Sequence, residues 1–437
     1  MALVLVGGLC YFIYEDWHEG GKWATYEGNR DVFAEGDLAK GALYDVNGQL
    51  LMRNTADGMQ FNDDYNIRTA LMHVTGDKDN NISTGANRVF LDRMIGYDFI
   101  NGIYTLNNEG ESVTLTLNGN ICATAYQALG SRKGAVGVYN YETGQIVCMV
   151  STPTFDPVNP PANVPEGAYI NRFTSATYAP GSTFKLVTAA ASIENLENAY
   201  TYTWDCSGSV DYGHGDEVTD IDPHGTVDLE EALEVSCNCY FGKVAEQLGG
   251  NLIKKYVKKT MLNESLDIDG IETKPGSFDY PDGGVNLAWT GIGQYHDMVN
   301  PCSMMVYMGA IANDGTAVMP TIISPTNIVD KKIEEVKTAA LKKEDMIDEA
   351  TAASLKSMMA NNVENHYGGQ NAFPGLALCA KTGTAEVSGQ NAPNSWFVGF
   401  LDDPDHPYAF AVIVEEGGYG IDAAGSVANK VLQALVN

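Results

Sequence analysis

The residues with the most chemistry to offer lie in the run Tyr178-Ala179-Pro180-Gly181-Ser182-Thr183-Phe184-Lys185-Leu186-Val187. A Pro-Gly turn delivers a serine to the start of an apolar helix, and a lysine follows three residues on. Residues i and i+3 share a helix face, so the Lys185 amine can reach the Ser182 hydroxyl within one turn. A serine hydroxyl becomes a nucleophile when a base takes its proton. Lysine is such a base when burial or a neighbouring cation keeps it neutral. The unpaired N–H groups and positive dipole of a helix start also favour an alkoxide there. Taken alone, Ser-x-x-Lys is more often an N-capping serine beside a solvated lysine, so the choice rests on the rest of the chain.

Two further stretches bear on it. In Leu233-Glu234-Val235-Ser236-Cys237-Asn238-Cys239-Tyr240-Phe241, a helix expected over Val227–Leu233 gives way to a polar Ser-x-Asn turn. By itself that turn reads as a helix cap. His224, beside a glycine, reads as structural rather than as a general base, because no Asp-His-Ser order accompanies it. The third stretch, Leu376 to Glu386, contains Ala380-Lys381-Thr382-Gly383-Thr384 and reads as a strand whose glycine lets another backbone approach. A substrate peptide can pair with such a strand, and Lys381 with the hydroxyls of Thr382 and Thr384 can hold a carboxylate. Alone, it would be an ordinary edge strand.

The elements that must position these residues are legible in outline. Val113–Leu117 alternates as a strand and leads to a helix expected over Gly119–Gly130. Gly134–Asn140 and Ile146–Val150 are apolar strands joined by a turn at Tyr141–Gly144. A proline-rich loop, Pro153–Pro165, precedes the Ser182 segment; strands at Ser395–Leu401 and Tyr408–Val414 and an amphipathic helix over Val427–Val436 close the chain. Upstream, Asn47-Gly48 marks a hairpin, while 77–81 and 107–111 read as loops, the first lacking the remainder of a calcium-ligand loop. Residues 1–14 are apolar and uncharged and too short to span a bilayer; they read as a membrane anchor clipped at its start or as a core segment, and the aromatic residues at the outer edge favour the anchor.

Composition bounds the function. The chain has 437 residues and a formal net charge of −30, which repels nucleic acid. Its 8 cysteines are widely scattered. Cys237 and Cys239 form a Cys-x-Cys, but no second pair or histidine cluster completes a zinc site, so no metal is expected.

Ser-x-x-Lys, Ser-x-Asn and Lys-Thr-Gly occur in that order, each in its expected context of helix start, turn and strand. With Gly134-Ala135-Val136, Thr143-Gly144-Gln145-Ile146, Ser151–Pro157, Gly291-Ile292-Gly293-Gln294 and Ala312-Asn313-Asp314-Gly315, the chain resembles the class B penicillin-binding proteins, monofunctional D,D-transpeptidases of peptidoglycan synthesis. The resemblance covers roughly residues 113–437. Upstream, Lys40–Gly48 resembles the family's strand-turn after the anchor, although Lys40 stands where an arginine is usual.

The resemblance implies an α/β fold with a five-stranded antiparallel sheet flanked by helices (residues 113–437), a small N-terminal pedestal (15–112) and a single N-terminal anchor (1–14) with the catalytic domain outside the membrane. It implies Ser182 as nucleophile, Lys185 as base and Ser236 as proton relay. Asn238, Lys381, Thr382, Gly383 and Thr384 bind substrate, and no metal or organic cofactor takes part. Expected partners are peptidoglycan stem peptides, β-lactam antibiotics and a membrane glycosyltransferase. Two hydrolytic rivals share the acyl step: a D,D-carboxypeptidase and a serine β-lactamase. The 181 residues before Ser182 have no use in a lactamase. A non-catalytic β-lactam sensor or scaffold would keep the fold without turnover.

Overall fold

The computed structural model describes residues 41–437 apart from 56–57, 91–93, 95–96, 99–102, 105–111, 330–331, 336–340, 387–388 and 390, together with 6–9, 11–12 and 14. The chain forms two units, one of Met1–Ala123, Thr154–Pro165 and Ile322–Ala339, the other of Thr124–Pro153, Glu166–Thr321 and Ala340–Asn437. All the candidate site residues lie in the second.

That larger unit is built on five strands: β1 (Gly134–Asn140), β2 (Ile146–Thr152), β3 (Leu378–Ala385), β4 (Asn394–Leu401) and β5 (Tyr408–Val414). Every pairing is antiparallel and the order is β3-β4-β5-β1-β2. The turn between β1 and β2 forms because the Asn140 side chain accepts from the backbone of Glu142 and Thr143, and Gly144 takes a positive φ. Pairing of β5 with β1, from Tyr408↔Asn140 to Val414↔Gly134, brings the end of the chain back onto its first long hairpin. All eight residues of β4 are buried, as an apolar strand covered on both faces must be.

Helices complete the layers. Those that matter are α1 (Lys185–Asn195), α2 (Asn238–Leu248), α3 (Pro301–Ala312), α4 (Glu349–Asn361) and α5 (Ser426–Val436). The sequence of α3, Pro-Cys-Ser-Met-Met-Val-Tyr-Met-Gly-Ala-Ile-Ala, is apolar all round, and all twelve residues are buried against β4, β5 and β1. Asn300 caps it, accepting from Cys302 N. In α5 the buried positions Val427, Ala428, Val431 and Leu432 form one stripe. The expected class, an α/β fold with a five-stranded antiparallel sheet flanked by helices, is what the chain adopts.

Local expectations change in two places. The helix expected over Val227–Leu233 starts at Leu229, because Asp228 forms a capping box with Glu231. Gly225–Val227 instead pairs with Trp204–Cys206. The strand expected over Val113–Leu117 shortens to Val113–Thr114.

In the smaller unit, Ala42–Tyr44, Leu50–Thr55, Gly58–Phe61 and Val113–Thr114 make a four-stranded sheet. The Asn47-Gly48 hairpin is present: buried Asp45 accepts from Asn47 N and Gln49 N, and Gly48 has φ 75°. Arg68 pairs with Asp156 at 2.8 Å, tying the 154–165 segment into this unit. Of the expected anchor, residues 6–9, 11–12 and 14 are helical and the others lie outside the described residues, as do the loop at 107–111 and Lys40. Among the described residues no helix is long and apolar enough to cross a membrane.

Candidate active site

Ser182 occupies a 3-10 turn, Gly181–Phe184, that runs directly into α1. It therefore sits ahead of the α-helix rather than in its first turn. The tighter winding suits the pair, since residues i and i+3 eclipse in 3-10 geometry. The turn is anchored from several directions. Gly181 has φ 53° and donates to Gly293 O at 2.8 Å, Thr183 Oγ1 donates to Pro180 O, and Trp396 Nε1 on β4 donates to Ala179 O at 2.9 Å.

The lysine is wholly buried. Lys185 Nζ donates to Ser236 O at 2.5 Å, Ser236 Oγ at 3.1 Å and Asn238 Oδ1 at 2.7 Å. Burial, and then the charge of Lys381, lower its pKa to about 7, against the opposing pull of Asp220. Lys381 is equally buried, and burial lowers it to about 7 as well. Its Nζ donates to Ser236 Oγ at 3.0 Å and to Thr382 O at 3.2 Å. Two amines thus converge on one hydroxyl. A hydroxyl has two lone pairs and one proton, so Ser236 can accept from both and still donate its own hydrogen elsewhere.

Ser236 holds φ 59°, a left-handed conformation uncommon for a residue with a side chain and characteristic of functional turns. Its carbonyl and hydroxyl both meet Lys185. One residue on, Cys237 caps α2 with its sulfur accepting from Tyr240 N. Asn238 follows, with Oδ1 on Lys185 and Nδ2 donating to Thr219 O at 2.8 Å. Asp220, which the sequence did not single out, orients the turn by accepting from Asn238 N at 2.6 Å and Cys239 N at 3.0 Å.

Lys381, Thr382, Gly383 and Thr384 lie on β3, an edge strand that pairs with β4 alone. Thr382 N donates to Tyr367 OH at 3.1 Å, and the two hydroxyls are also 3.1 Å apart. The Thr382 backbone therefore faces away from β4. By the two-residue alternation of a strand so does that of Thr384. A side chain at Gly383 would meet Pro180 O at 2.8 Å and Thr183 Cγ2 at 2.9 Å, so the missing Cβ is what lets β3 lie against the Ser182 turn.

Tyr367 was not foreseen either; it lies beyond the end of α4, and nothing in its spacing links it to residue 382. His224 has Nδ1 3.6 Å from Cys206 Sγ and 3.8 Å from Asp220 Oδ2. Around Cys237 there is no second Cys-x-Cys pair and no histidine cluster among the described residues, but Cys206, Asp220, His224 and Cys237 place one ligand atom each within 4.8 Å of one another. They come from three places in the chain, with only Asp220 and His224 close in sequence.

Comparison with known proteins agrees with this geometry. The family profile described as penicillin binding protein transpeptidase domain matches residues 134–434. Peptidoglycan D,D-transpeptidase PbpA of Mycobacterium tuberculosis is 27% identical over 79% of this chain and 74% of that protein. Stage V sporulation protein D of Bacillus subtilis is 28% identical over 75% and 53%. Among solved structures, penicillin-binding protein A from M. tuberculosis, an imipenem acyl-enzyme complex, superposes with a TM-score of 0.79 at 23% identity, covering 92% of this chain and 100% of that one. The D,D-transpeptidase domain of a peptidoglycan glycosyltransferase from Eggerthella lenta gives 0.77 at 24% identity, covering 90% and 97%. With more than half its length matched by that profile, the chain belongs to the penicillin-binding protein transpeptidase family.

Proposed function

We propose that this chain is a serine-type peptidoglycan D,D-transpeptidase in which Ser182 attacks the carbonyl between the last two D-alanines of a stem peptide. The observation that carries the assignment of roles is the convergence of Lys185 and Lys381 on Ser236 Oγ beside the Ser182 turn. With Lys185 neutral, its two hydrogens serve Ser236 O and Asn238 Oδ1 and its lone pair takes the serine proton, while Lys381 disfavours a second charge close by. Ser236 passes the proton to the leaving amine, so that D-alanine departs and an acyl-enzyme remains. Backbone N–H groups of Ser182 and Thr384 hold the developing oxyanion, an arrangement worth several kcal/mol. Asn238 has a second Nδ2 hydrogen for the acyl chain. Lys381, Thr382 and Thr384 receive the substrate carboxylate beside Gly383, where peptide and β3 run close. An amine of a neighbouring stem peptide then attacks the ester and regenerates Ser182. A β-lactam enters by the first step and stops there.

The smaller unit serves as a pedestal in this reading. The N-terminal anchor, the position outside the membrane and a glycosyltransferase partner belong to the same proposal; PbpA is, by its name, a peptidoglycan D,D-transpeptidase.

The test is to supply a stem pentapeptide ending in D-Ala-D-Ala together with an acceptor amine. Release of D-alanine with a cross-linked product, lost in Ser182→Ala, is expected. Release with only a hydrolysed tetrapeptide would make the protein a D,D-carboxypeptidase. No release of D-alanine would overturn the reading.

A further inference from the structure

Cys206, Asp220, His224 and Cys237 come from three separate places. Cys206 ends the strand Trp204–Cys206, and Asp220 follows the hairpin strand Asp216–Thr219. His224 precedes Gly225–Val227, and Cys237 is the N-cap of α2. Cys206 Sγ and Cys237 Sγ each lie 3.3 Å from Asp220 Oδ2, while His224 Nδ1 lies 3.6 Å from Cys206 Sγ and 3.8 Å from Asp220 Oδ2. A tetrahedral zinc with bonds of about 2.3 Å to sulfur and about 2.0–2.1 Å to nitrogen and oxygen has ligand–ligand edges of roughly 3.3–3.8 Å. The four separations above fall within that range, and the remaining two edges are no longer than 4.8 Å.

The surroundings support a ligand set rather than four unrelated side chains. Both cysteines are buried, and the Asp220 side chain is 3% exposed. The Asp220 oxygen that faces the sulfurs also accepts from Cys239 N, and its other oxygen accepts from Asn238 N, so the carboxylate is held in place from behind. His224 N donates to Cys206 O across the short strand pair. The two small sheets that carry these residues, Ser209–Gly213 with Asp216–Thr219 and Trp204–Cys206 with Gly225–Val227, have two strands each. Such ribbons are marginal without a staple.

We propose that Cys206, Asp220, His224 and Cys237 form a structural zinc site that fixes the Ser236–Asn238 turn. Two thiolates, one imidazole and one carboxylate suit a borderline-soft, tetrahedral ion, and four protein ligands leave no open position, as in a structural rather than a catalytic centre. Binding releases the two thiol protons and leaves the imidazole neutral. Cys237 lies between the two polar residues that meet Lys185, so a metal bond to its sulfur sets the position of both. These four are positioning residues for Ser236 and Asn238. Occupancy of the site is independent of the acyl-transfer reading, on which only its effect on rate depends.

The experiment starts with the full chain, purified without metal-affinity steps and analysed for metal by elemental mass spectrometry. About one zinc per chain is expected. Cobalt exchanged into the site should give thiolate-to-metal charge-transfer bands and tetrahedral d–d absorption. Cys206→Ser and His224→Ala should lose the metal, His224→Cys should retain it, and Cys239→Ser, whose sulfur faces Val218 O, should retain it as well. Removing zinc from the wild type with a chelator should lower the melting temperature and slow penicillin acylation at least tenfold, with both restored by zinc. His224→Cys should rescue the acylation rate that His224→Ala loses. A wild-type chain free of metal, with Cys206 and Cys237 either both alkylated as free thiols or joined as a disulfide, would overturn the site. Bound zinc whose removal leaves acylation unchanged would overturn the positioning role.

Discussion

At the scale of single residues, the account turns on two buried amines, Lys185 and Lys381, and one hydroxyl. Because the pKa of Lys185 is lowered to about 7, first by burial and then by Lys381, the neutral base becomes the major form as pH rises through that value. The acylation rate with penicillin should climb between about pH 6 and 8 and then level off. Lys185→Ala should slow acylation by about 10²–10⁴-fold and abolish that rise. Unaltered acylation in the variant would move the base elsewhere. The same shift affects stability. The folded value, about 7, lies below the ordinary 10.5, so between them the unfolded chain holds the extra proton and stability increases with pH. Thermal unfolding of Lys185→Met should show less gain than the wild type from pH 7 to 10. Identical gains would mean that Lys185 is charged in the folded protein.

At the scale of elements, the decisive contact joins β3 to the Ser182 turn at Gly383. Gly383→Val should force these two apart, with a stability cost of about 1–3 kcal/mol and a much larger proportional loss of acylation. Equal labelling of variant and wild type would show that β3 need not approach so closely. Periodicity made the strands β1, β2, β4 and β5 and the last helix legible, because apolar runs bounded by turn residues carry their own signal. The three motifs were legible because their order and local context reinforce one another. Their supports were not. Asp220 reaches α2 from a hairpin, Tyr367 reaches Thr382 from beyond α4, and Trp396 reaches Ala179 from β4. Each is a long-range hydrogen bond with no local spacing to announce it. The 3-10 turn at Ser182 was hidden likewise, since three residues per turn and 3.6 predict the same neighbour over so short a run. The cysteine cluster left no mark for a related reason: Cys206 and Cys237 lie far apart in the chain and only Asp220 and His224 are close, whereas zinc sites are read from short paired spacings of cysteine and histidine.

At the scale of the molecule, the smaller unit gathers three stretches of chain, which a composition change near residue 113 did not reveal. The Arg68–Asp156 pair explains part of this, since a contact across 88 residues leaves no periodic trace. The net charge of −30 acts over the whole surface. Self-repulsion of that size should weaken as salt screens it, so the melting temperature should rise between about 10 mM and 150 mM ionic strength. A flat response would show that the acidic groups are already neutralised locally. None of this bears on the reaction as directly as the acyl-enzyme itself. The measurement to make is the time course of a penicillin adduct on the full chain, with its position found by peptide mass spectrometry. The account predicts a single covalent adduct on Ser182 that persists for hours and is absent from Ser182→Ala. Labelling elsewhere, labelling retained in Ser182→Ala, or an adduct lost within seconds would contradict it.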